Sequence, residues 1–77
     1  MLGKPKFNID DIVTFNIYEN DKEFTLIGEI YIIDAYGTFY QNDEVSYDIM
    51  VKKGDYSIEY PCLFKHIRES RVKKFTK

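Results

Sequence analysis

The chain has 77 residues, enough for one domain and too few for two. Its 44% hydrophobic and 31% charged residues give the balance of a folded domain, and they exclude a disordered one. A net charge of −2 argues against non-specific nucleic-acid binding, because phosphate recognition draws on an excess of positive charge. Seven Tyr and six Phe with no Trp suit a small interior filled by a few large rings. The single cysteine, Cys62, rules out an internal disulfide and a multi-cysteine zinc site. No apolar stretch approaches the roughly 20 residues of a membrane helix, and the first nine residues carry no secretory pattern. These features predict one cytoplasmic domain over residues 1–77, with residues 1–6 and 76–77 loosely held.

From Asp11 onward the apolar residues recur with a period of two. Val13, Phe15 and Ile17 fall on one face, and Ile12, Thr14, Asn16 and Tyr18 on the other, which predicts a half-buried first strand. The polar run Glu19-Asn20-Asp21-Lys22 supplies the turn. A longer second strand is expected over residues 23–34, with Leu26, Gly28, Ile30 and Ile32 on one face and Ile27, Glu29, Tyr31 and Ile33 on the other. Gly28 in its middle marks a bend or bulge. After an aromatic stretch around Gly37, a third strand is expected over residues 45–53, with Tyr47, Ile49 and Val51 inward. Residues 56–62 read as a fourth strand that Pro61 ends or pushes to an edge. Leu63, Phe64 and Ile67 stand at helical spacing, so residues 63–70 read as a short 3-10 or α turn. Residues 72–75 form a fifth strand.

Five short strands with one turn of helix before the last is an all-β layout that resembles an SH3-like barrel. The likeness lies in the opening Asp11-Ile12-Val13-Thr14-Phe15 and in the closing His66-Ile67-Arg68-Glu69-Ser70-Arg71-Val72. The stretch from Gly28 to Val72 is also similar to small uncharacterised proteins of Firmicutes and their phages. The matching segments are Gly28-Glu29-Ile30-Tyr31, Tyr36-Gly37-Thr38-Phe39 and Tyr47-Asp48-Ile49-Met50-Val51. The abundance of Ile, Lys, Asn, Tyr and Phe, all encoded by AT-rich codons, points the same way, to a low-GC bacterium, a phage or a mobile element. Neither resemblance implies an activity, since small barrels host many unrelated functions.

Catalytic chemistry finds little to use. His66 is the only histidine and lies among Lys65 and Arg68. Its expected role is to orient a turn by hydrogen bonding, and that of Cys62 is to pack as a small apolar side chain. Asn42-Asp43-Glu44 lacks the alternating ligands and closing Glu of a calcium loop, and the glycines make no phosphate cradle. The expectation is a non-enzymatic protein with no metal, cofactor or small-molecule substrate.

Two features point to binding. The aromatic loop residues Tyr36, Phe39 and Tyr40, together with Tyr31 and Ile33 on the expected outer face of the second strand, form a candidate protein-binding set. The competing role for the loop aromatics is to cap one end of the core. The second feature is the C-terminal charge. Residues 65–77 hold six Lys or Arg against one Glu, whereas residues 1–64 hold five Lys against twelve Asp or Glu. Lys65, Arg68, Arg71, Lys73 and Lys74, with Phe75 as a stacking surface, form the alternative nucleic-acid-binding set. The acidic balance of the whole chain favours a protein partner, such as a host protein bound by a phage or mobile-element factor.

Overall fold

The structure is a computed structural model that describes residues 2–36 and 43–76. Five strands, β1 (Ile12–Glu19), β2 (Lys22–Asp34), β3 (Ser46–Val51), β4 (Cys62–Arg68) and β5 (Val72–Lys74), form one antiparallel sheet in the order β4-β3-β2-β1-β5. A 3-10 turn over Glu69–Arg71 leads into β5. Among the described residues no helix is long and apolar enough to cross a membrane.

The β1–β2 hairpin closes on Asn20 and Asp21, both with positive φ (51° and 64°). A two-residue turn with both central residues left-handed matches the twist of the strands it joins, and Asn and Asp tolerate that conformation best after Gly. The turn sets the register from Glu19↔Lys22 through Ile12↔Glu29. This register places Val13, Phe15, Leu26 and Ile30 on one face, where all four are buried. Tyr47, Ile49 and Val51 join them from β3, as the alternation predicted. Laid flat, β1 and β4 would stand three strand spacings apart, about 14 Å. Yet the rings of Phe15 on β1 and Phe64 on β4 meet edge to face at 5.4 Å. The sheet therefore curls around a shared core, while β4 and β5 remain its two edges.

Two bulges depart from the expected alternation. Ile30 pairs with Ile49 but Ile32 pairs with Asp48, so Tyr31 is an extra residue on β2. One inserted residue reverses the facing of everything after it. Ile32, expected inside, is exposed, and Ile33, expected on the outer face, is half-buried against the core. The bend anticipated at Gly28 thus falls at Tyr31. The second bulge lies between β3 and β4, where Tyr47 pairs with Ile67 and Ile49 with Phe64. Lys65 and His66 together oppose the single residue Asp48. His66 takes a positive φ of 59°, and its backbone N–H donates to Asp48 Oδ1 at 3.0 Å.

This bulge corrects the reading of residues 56–70. The three-residue spacing of Phe64 and Ile67, which suggests a helical turn, comes from a bulged strand that keeps both residues inward. Residues 56–61 are irregular, and β4 begins at Cys62, directly after Pro61, which has no N–H to give the ladder. The 3-10 turn is confined to Glu69–Arg71.

The N-terminal segment is tied along this core. Leu2 N–H donates to the Ala35 carbonyl at 2.7 Å, and Asp10 N–H to the Ile30 carbonyl at 2.8 Å. Phe7 meets the Tyr47 ring edge to face at 5.6 Å. The Tyr47 hydroxyl donates to Glu69 Oε2 at 2.5 Å and accepts the backbone N–H of Lys6 at 3.2 Å. Burial, reinforced by the Glu69 carboxylate that takes its hydrogen, pushes the Tyr47 hydroxyl up to about 12 from an ordinary 10.0. The fold thus favours the protonated phenol. The stability this contributes is complete below pH 10 and is lost as pH climbs towards 12, on the order of 3 kcal/mol in all. In urea titrations across that range, the wild-type midpoint should fall more steeply than that of Tyr47→Phe. Parallel curves would remove Tyr47 as the titrating group.

Candidate interaction face

The outer face of β1 and β2 divides into two halves with different chemistry. Near the hairpin it is polar and internally satisfied. Glu23 Oε2 accepts from Asn16 Nδ2 at 2.8 Å and from the Tyr18 hydroxyl at 2.7 Å, and Thr25 Oγ1 donates to Asn16 Oδ1 at 2.9 Å. The hydrogen bond to Glu23 raises the Tyr18 hydroxyl above its ordinary value. The Arg71 guanidinium closes this half by donating to the Asn16 carbonyl.

Towards the other end the face turns apolar. Ile12 lies opposite Glu29 and diagonal to both Ile27 and Tyr31, close enough for large side chains to touch across the ladder. Ile12, Ile27 and Tyr31 remain 41%, 44% and 57% exposed. Met50 lies opposite Glu29 from the β3 side. Phe75 donates its backbone N–H to the Ile12 carbonyl at 3.1 Å, which carries the β5 edge alongside Ile12. Ile12, Ile27, Met50 and Phe75 line a shallow groove of about 700 Å³ that the turn carrying Lys52, Lys53 and Asp55 borders. Glu29 stands in the middle of this apolar field and pairs with Lys52 at 3.2 Å.

The protein-binding set read from the sequence is therefore only partly gathered here. Tyr31 belongs to the apolar half. Tyr36 is 71% exposed just beyond β2, its backbone N–H held by Asp34 Oδ1 at 3.0 Å. Ile33 is withdrawn into the core side by the bulge and is not available as an outer-face contact. Phe39 and Tyr40 lie outside the described residues. Sequence reasoning missed Ile12, Ile27 and Met50, and it assigned Phe75 to the basic set instead. The signal was present, since Ile12 and Ile27 are apolar residues on the solvent side of otherwise amphipathic strands.

The basic set falls on the two edge strands and the turn between them. Lys65 stands on β4 and Lys73 and Lys74 on β5, the opposite edges of the sheet. Arg68 pairs with Asp43 at 3.7 Å, and Arg71 serves the Asn16 carbonyl. His66 and Cys62 share β4, where the His66 backbone is committed to the bulge and Cys62 is half-buried at the start of the strand.

These features define a small all-β protein with an uncovered apolar sheet face. No protein-family model matches the chain, and neither curated proteins nor solved structures yield a match.

Proposed function

We propose that this chain is a non-enzymatic SH3-like binding domain that docks a protein partner on the apolar half of its outer sheet face. The observation that carries the reading is the set Ile12, Ile27 and Tyr31, diagonal neighbours by register on one sheet face and each left solvent-exposed, beside the groove that Met50 and Phe75 line. Large apolar side chains gathered on one face lose free energy in water that a partner can recover, and aromatic and aliphatic anchors at the centre of a patch dominate such contacts. Support for an SH3-like barrel comes from five antiparallel strands with a single 3-10 turn before the last, and from the curl that brings Phe15 to Phe64. The non-enzymatic reading rests on the single histidine, whose backbone secures a strand bulge. Composition supports a bacterial or phage protein working in the cytoplasm.

The test is capture from a low-GC bacterial lysate with tagged wild type and with Ile27→Asp/Tyr31→Ala. Both replaced side chains are substantially exposed, so the variant should keep its fold, which circular dichroism would verify. Proteins held by the wild type and released by the variant are the expected result. Identical recoveries would remove this face as the site. The acidic balance of the chain predicts no oligonucleotide binding at low salt; a complex that weakens steeply with rising salt would favour the basic set instead.

A further inference from the structure

We infer that the apolar half of the outer face pairs with the same face of a second copy of this chain, forming a two-fold symmetric dimer. The inference names the partner in the docking reading above and rests on it.

The charges on and around the groove select this occupant. Lys52 stands 3.2 Å from Glu29, and Lys53 and Asp55 flank Gly54 in the bordering turn, so opposite signs sit side by side. A face of this kind complements itself, because a two-fold rotation can lay the cation of one copy over the anion of the other. A strongly acidic partner would meet Glu29 and Asp55, and a strongly basic one would meet Lys52 and Lys53. Nucleic acid would face the same two carboxylates. Complementary signs in one patch also give register, which a purely apolar patch lacks.

The setting of Glu29 points the same way. Glu29 stands opposite Ile12 and Met50 across the ladder and two residues from Ile27 and Tyr31, and its ion-pair partner among the described residues is a lysine whose side chain is 71% exposed. A second copy would bring a second Lys52 to each Glu29 while covering the isoleucines. Size favours the same solution. A 77-residue chain with one cysteine can form no internal disulfide, and chains this small gain from burying apolar surface between subunits. A standard interface takes about 800 Å² from each partner, a modest fraction of the 5637 Å² that the described chain exposes.

Sedimentation of the purified full chain from micromolar to millimolar concentration tests the pairing. The wild type should approach twice the 9.2 kDa chain mass, while Ile27→Asp should remain at the single mass with its circular dichroism unchanged. Glu29→Lys and Lys52→Glu each place like charges across the two-fold axis and should weaken self-association by about tenfold or more. An equimolar mixture of these two variants should restore dimers, because each supplies the sign the other lacks. A wild type that stays single throughout overturns the proposal. So does a dimer that all three variants leave intact, or a mixture no tighter than its components. A single-mass wild type that still loses lysate partners on Ile27→Asp would overturn self-pairing and leave the docking reading standing.

Discussion

Tyr47→Ala is expected to lower the unfolding free energy by about 3–5 kcal/mol, a large share of the total. Tyr47 is 0% exposed and heads the large, fully buried side chains. Its ring packs on Phe7, and its hydroxyl joins β3 to the N-terminal segment and to the 3-10 turn through Lys6 and Glu69. Removing a buried aromatic ring costs about 3–5 kcal/mol in transfer and cavity terms. A chain of this length has a total stability of about 4–12 kcal/mol at typical values per residue. The variant also leaves Glu69 Oε2 with one hydrogen-bond donor fewer, at a half-buried site. Tyr47→Phe keeps the ring and loses only the hydroxyl, for about 1–2 kcal/mol. Urea denaturation should therefore rank wild type, then Phe, then Ala, with the larger step between Phe and Ala. An Ala variant with the wild-type midpoint would mean that β3 does not face the core as described.

Gly28→Ala is expected to have the second-largest effect, although it adds only one methyl group. A Cβ at this position would come within 2.6 Å of Ile49 Cγ2 and 2.6 Å of the Met50 carbonyl oxygen. Ile49 is fully buried, and the carbonyl belongs to the backbone of the neighbouring strand, so neither can step aside cheaply. Overpacking of this kind costs about 1–3 kcal/mol, and a backbone contact places it at the upper end. Moving the branch off Cβ with Ile49→Leu removes Cγ2, which relieves one contact and leaves the other. The double variant should thus recover only part of the lost melting temperature. Full recovery would show that the carbonyl contact relaxes freely, and an unchanged melting temperature in the single variant would show that β2 and β3 are not this close.

Glycine at position 28 was readable as a point where the second strand needed something unusual, but its role differs from the one its sequence context suggests. Its absent side chain admits the neighbouring strand, and the irregularity itself sits at Tyr31. The two cannot be told apart from β2 alone, since a bulge is a mismatch in residue count between two paired strands. The same holds for Phe64 and Ile67. Their spacing matches a helix, and only the pairing of Tyr47 with Ile67 and Ile49 with Phe64 shows a strand with one residue to spare. Ile33 joined the candidate site for this same reason.

The outer face had a partial signature of the same kind. Ile12 and Ile27 are apolar residues on the solvent side of their strands, a signal present in the sequence but not drawn from it. Their convergence needed the register Ile12↔Glu29, and Phe75 needed β5 to lie beside β1.

What the amino-acid sequence determined by itself is the local alternation: β1 with Val13 and Phe15 inward, β2 up to Ile30, β3 with Tyr47, Ile49 and Val51, the Asn20-Asp21 turn, and a short turn before β5. Side-chain period and turn chemistry are properties of a few neighbouring residues, so one chain segment suffices to express them. The two bulges, the order of the strands and the gathering of Ile12, Ile27, Tyr31, Met50 and Phe75 were decided only in the tertiary structure. Each depends on which residue of one strand stands opposite which residue of another, and that relation has no counterpart within a single segment.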